Sequence, residues 1–198
     1  MSDAPTGSRP DRRPAQGRKQ PRRVTADYLE RAALHYLERF ASSSANLRKV
    51  LMRKVDLSAR AHGTDREEGA AWVDALVKRY VDSGLLNDRL YADAKATGLQ
   101  RRGGSTRMIR QKLSAKGLEE ADIDEALSGL EGAEEGTADI KAALAYARRR
   151  RLGPYRLPED REARRDKDMA ALARAGFDMR TARRVVEAED PDALEGEE

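Results

Sequence analysis

Apolar residues along this chain recur at steps of three and four, and nowhere do they alternate with polar residues over a stretch. Tyr28, Leu29, Ala32, Ala33, Tyr36, Leu37 and Phe40 form one such stripe, as one face of an α-helix requires. Leu47, Val50 and Leu51 begin a second, and Trp72, Val73, Leu76, Val77, Tyr80 and Val81 a third. Further stripes contain Leu90, Tyr91 and Ala94; Met108, Ile109 and Leu113; and Ile123, Ala126, Leu127 and Leu130. Three more follow, with Ile140, Ala143, Leu144 and Ala147; Met169, Leu172 and Ala173; and Ala182, Val185 and Val186. No β-branched run is longer than Val185-Val186, so nothing in the chain reads as a strand.

Stops and starts punctuate these nine helices. One of Ser42, Ser43 and Ser44 is placed to cap the second, Asn87 or Asp88 the fourth, Ser105 the fifth and Asp178 the ninth. Gly84, Gly103-Gly104, Gly117 and Gly176 suit helix ends, and the seventh helix ends near Pro154. Residues 56–69 read as a long connection, and Tyr28, Tyr36, Phe40, Trp72 and Tyr80 as core.

Two constant offsets link the helices. Ser43, Leu47 and Leu51 match Ser105, Ile109 and Leu113 at 62 residues. Leu113, Gly117, Leu118, Ala126 and Leu127 match Leu172, Gly176, Phe177, Val185 and Val186 at 59. The second match preserves a whole helix–glycine–apolar–helix unit. The expected fold is all-α: an elongated array of three tandem three-helix repeats with disordered termini, the repeats spanning 24–85, 86–131 and 137–188. Its polarity suits that shape, with 39% hydrophobic and 37% charged residues and a mean hydropathy of −0.82.

Charge is unevenly spread. Residues 1–23 contain four prolines and a net charge of +5, and read as a disordered basic arm; residues 189–198 read as an acidic tail. From Glu187 onward the net charge is −7, which leaves +6 on the middle of the chain. A basic folded part points to a polyanionic partner such as nucleic acid rather than a membrane. No cysteine is present, so disulfides and zinc–thiolate sites are excluded. Neither a membrane-spanning run nor a signal peptide is visible, and the expected location is cytoplasmic.

Two segments resemble signatures of the RecX family. One is Gly84-Leu85-Leu86-Asn87-Asp88 followed by Leu90-Tyr91-Ala92; the other runs from Gly103 through Arg107-Met108-Ile109-Arg110-Gln111-Lys112-Leu113 to Lys116-Gly117-Leu118. The resemblance covers roughly residues 28–188. It departs from the family pattern at Ser44-Ala45-Asn46, where an acidic residue is usual, and at Lys112, where glutamate is common. It implies a non-enzymatic modulator, usually an inhibitor, of the bacterial RecA recombinase, acting in recombination, DNA repair and the SOS response. Such proteins are helical repeat arrays that lie in the groove of the RecA–DNA filament. The implied partners are that filament and, nonspecifically, single- and double-stranded DNA, with the chain itself a monomer.

The candidate contact residues are basic. Arg148, Arg149, Arg150 and Arg151 fan around a helix and would suit a polyanion, although cations also suit a solvated helix C-terminus. Arg101, Arg102, Arg107, Arg110, Lys112 and Lys116 form a second cluster, suited to phosphates or an acidic protein surface, or to solubility alone. Tyr155 follows Pro154 in a basic loop and is the aromatic best placed to stack on a base. The alternative is a stand-alone helical DNA-binding protein. Ser105–Leu130 has a helix-turn-helix outline, but its second helix carries Glu119, Glu120, Asp122, Asp124 and Glu125, which oppose entry into a groove. His35 and His62 lack metal-ligand spacing, and no phosphate loop or nucleophile–base pair is present, so no cofactor, metal or catalytic residue is expected.

Overall fold

A computed structural model describes residues 20–133, 137–191 and 194; the expected disordered arm up to residue 19, residues 134–136 and most of the acidic tail lie outside the described residues. Among the described residues there are nine α-helices and no strand. They are α1 (Ala26–Leu37), α2 (Ser44–His62), α3 (Arg66–Asp82), α4 (Asp88–Gln100) and α5 (Thr106–Ser114). Then come α6 (Glu120–Ser128), α7 (Ala138–Arg150), α8 (Pro158–Arg174) and α9 (Met179–Val186), with a 3-10 turn at Gly153–Tyr155. No helix among them is long and apolar enough to cross a membrane.

Side-chain caps fix most of the starts. Thr25, Ser43, Asp65, Asn87, Ser105 and Asp178 each accept a backbone N–H from the first turn of the helix that follows, a contribution of about 1 kcal/mol apiece. Asp178 is held below the usual carboxylate range, chiefly by the Thr181 N–H it accepts. The long connection expected over 56–69 is a correction. Helix α2 runs on to His62, burying Val55 and Ser58, and stops only where Gly63 turns left-handed; the connection is three residues. Local composition concealed this because the second half of α2, from Arg53 to His62, buries only Val55 and Ser58.

The helices pack in threes. α1, α2 and α3 bury one cluster around Leu29, Leu47, Leu51, Val55 and Val73, which also takes in Leu86. α4, α5 and α6 bury another around Ala96, Ile109, Leu113 and Ile123, joined by Ala138. α7, α8 and α9 bury the last around Leu144, Leu172, Phe177 and Val185. Phe40 departs from its expected place in the core: it lies past the end of α1 and is 50% exposed.

The groups are tied to each other by one device used twice. The fully buried Ser43 hydroxyl caps α2 by accepting from Asn46 N–H, and donates its own proton to the Lys116 carbonyl at 2.6 Å, just before Gly117. Ser105 caps α5 in the same way and donates to the Ala175 carbonyl at 3.0 Å, just before Gly176. The next residue repeats as well. Ser44 gives its N–H and hydroxyl to Asp88 in the first turn of α4, and Thr106 gives both to Asp139 in the first turn of α7. Each carboxylate therefore faces the N-terminus of the preceding group's second helix, where the helix dipole favours it.

Gly117 and Gly176 complete the device. Both have left-handed φ, +74° and +96°, and a Cβ on either would fall 2.5–2.6 Å from the preceding group, on Ala45 Cβ and Ser105 Oγ respectively. Only glycine allows that approach in that conformation. The third group has one feature of its own. Asp168, 2% exposed, accepts from Gly153 N–H at 2.8 Å and from both arms of the Arg156 guanidinium at 2.6 and 2.7 Å.

Candidate functional site

The C-terminal turns of α4 and α7 meet beside α5 and α8, and the groove between them gathers Arg102, Lys112, Arg149, Arg150 and Arg174. No carboxylate lines it. All five side chains are exposed, and among the described residues none forms an ion pair. The local reasons are visible. α7 ends at the negative pole of its dipole, which tolerates the arginine run. Arg149 Nη1 donates to the Arg102 carbonyl at 2.7 Å, tying the two helix ends together.

Tyr146 forms part of the groove wall. The guanidinium carbons of Arg149 and Arg150 lie 5.8 and 5.5 Å from its ring centroid. The ring itself rests edge-on against the buried Phe177 at 6.1 Å. A tyrosine flanked by two guanidiniums holds them close together without neutralising them. The groove is thus a concentration of positive charge of the kind that suits phosphates or an acidic protein surface.

Of the basic residues expected to form the contact surface, Arg102, Lys112, Arg149 and Arg150 converge here, and the others do not. Arg101 is exposed beside Gln100, Glu131 and Lys141. Arg107 and Arg110 line a different depression with Asp139, and Arg110 is already paired with Glu120 and Asp124 of α6. Lys116 reaches back across the first junction to Asn46 Oδ1 at 3.3 Å. Arg151 leaves the helix with φ +55°, so the four arginines do not share one helical fan. Tyr155 is not in an open loop: its ring packs against the third cluster under Arg148, with its hydroxyl buried. Arg174, Met108 and Tyr146 were absent from the expected set, since none belongs to a local charge run and only the packing of the third group against the second brings them together.

The helix-turn-helix outline places α6 after the turn, and three of its acidic side chains are paired within the molecule. Glu120 and Asp124 hold Arg110, and Glu125 holds Arg89 of α4. Among the described residues no cluster of histidine, aspartate and glutamate is placed to hold a metal ion.

The second helical group is where the chain matches a family model, that of the RecX second three-helix domain, over residues 87–127. A regulatory protein RecX from Myxococcus xanthus is 45% identical over 179 residues, covering 90% of this chain and 94% of that protein. One from Agrobacterium fabrum is 33% identical over 172 residues, covering 82% and 86%. No solved structure matches the chain. The shared three-helix domain, and identity at this level along nearly the whole length, show that the chain belongs to the RecX family of regulatory proteins.

Proposed function

We propose that this chain inhibits a RecA recombinase by docking three tandem helical units along the RecA–DNA filament, with the groove between the second and third units as its main contact. The reading rests on the kinship to regulatory relatives and on one observation: five exposed cations, with no carboxylate among the residues lining their groove. A filament of protein and DNA offers acidic surface and phosphates in a repeating array. Several contacts along it would supply avidity beyond any one of them. Recombination, DNA repair and the SOS response are the processes such inhibition would restrain.

The test is DNA-dependent ATP hydrolysis by RecA on single-stranded DNA, titrated with the wild-type chain and with an Arg149→Glu/Arg150→Glu/Arg174→Glu variant. Half-inhibition by the variant should need at least roughly tenfold more protein, since three like-charge contacts are replaced by repulsive ones. Raising salt should weaken the wild type much more than the variant. Superimposable titrations, with helicity retained by circular dichroism, would remove the groove from the contact surface. Titrations in which neither protein affects hydrolysis would remove the recombinase from the reading altogether.

A further inference from the structure

Single exposed apolar side chains are ordinary on a protein surface, whereas several converging on one groove mark an interaction site. Phe40, Leu85 and Leu90 are 50%, 52% and 63% exposed, and all three line the groove between the first and second helical groups. Leu37 and Tyr91 extend its apolar floor. The floor is firm. Tyr36 lies under Phe40 with ring centroids 5.2 Å apart, and its hydroxyl accepts from Asn46 Nδ2 at 3.0 Å.

The rim carries a sign. Arg39 and Lys95 line the groove, no carboxylate does, and neither cation forms an ion pair among the described residues. Arg39 lies 5.4 Å from the Phe40 ring centroid, so charge and apolar surface are side by side. A second copy of this chain fits poorly here, because its own Arg39 and Lys95 would meet like charges. Leu194, near the chain's C-terminal end, packs against the third cluster and not here.

We propose that this groove docks a segment of a partner protein in which two or more apolar side chains are flanked by aspartate or glutamate. The apolar side chains would cover Phe40, Leu85 and Leu90, and the carboxylates would meet Arg39 and Lys95. This surface is separate from the cationic groove and does not depend on it.

The probe is a displayed library of random dodecapeptides, selected on the full-length protein and counter-selected on a Phe40→Asp/Leu90→Asp variant. Both substituted positions are at least half exposed, and circular dichroism checks that helicity is kept. Enriched peptides should carry paired apolar residues flanked by acids. In fluorescence anisotropy the best of them should bind the counter-selection variant at least tenfold more weakly, and an Arg39→Glu/Lys95→Glu variant likewise. Enrichment of basic or uncharged peptides, binding indifferent to the Arg39 and Lys95 changes, or no enrichment over the counter-selection would each overturn the proposal. So would sedimentation showing a wild-type dimer that Phe40→Asp/Leu90→Asp dissociates, which would give the groove to a second copy.

Discussion

Three residues before Ser43 stands Phe40, and three before Ser105 stands Arg102. The two junctions are tied by the same serine hydroxyl, the same carboxylate and the same left-handed glycine. Yet the first presents an apolar groove with a cationic rim, and the second a groove lined by five cations. The backbone relation between groups is therefore carried by a few buried polar positions, and the exposed positions beside them are free to take different chemistry. One scaffold step offers two kinds of surface.

The comparison breaks most sharply in the third group, where Asp168 occupies a buried position. Asp168→Ala should cost about 3 kcal/mol by leaving Arg156 and Gly153 N–H without their acceptor. Hydrogen exchange should show the loss in α7–α9 before α1–α3. Burial alone pushes the Asp168 carboxyl up, but the Arg156 guanidinium, the Gly153 N–H and nearby Arg164 outweigh it and hold it below its usual value. For a lowered carboxyl the stabilisation is full above the unfolded value and is lost as pH falls through the folded one. Acid titration of the wild type should therefore loosen the third group, and Asp168→Ala should flatten that part of the profile.

Next in size are the ties themselves. Ser43→Ala and Ser105→Ala should each cost about 1–2 kcal/mol, through a lost cap and an unsatisfied carbonyl. The two costs should add in the double variant, since the sites share no partner. Unequal costs in urea melts would show that the junctions are not energetically alike. Exchanging the linings is subtler. Arg102→Phe should weaken inhibition of RecA ATP hydrolysis by about fivefold, the worth of one exposed charge contact, while Phe40→Arg leaves it unchanged. Smallest of all, Arg110→Ala should change stability by less than about 0.5 kcal/mol, because its pairs with Glu120 and Asp124 are solvent-exposed.

Much of this was legible in the sequence, because helical periodicity and capping are local. The constant offsets of 62 and 59 found Ser43 and Ser105, and Gly117 and Gly176, without knowledge of what they touch. The 59-residue offset carried one turn further back places Ile109 on Asp168, a core position filled by a charge, and that mismatch was the available signal for the buried pair. The cationic groove was only half legible. Arg149 and Arg150 stand out as a run, but Arg174 is an isolated arginine at the end of α8, and its company depends on the angle between groups. Arg110 misled for the opposite reason: a basic residue in a basic stretch looks available until its partners on α6 are seen.

The hydroxyls of Ser43 and Ser105 have one further consequence. Each holds a single hydrogen, and that hydrogen goes to a helix end belonging to the following group, while its lone pairs start a helix in its own. Fraying at the end of α8 thus unsettles the start of α5, and fraying at the end of α5 unsettles the start of α2. At each seam one proton thus adds a coupling between helix ends to the one made by the Asp88 or Asp139 carboxylate.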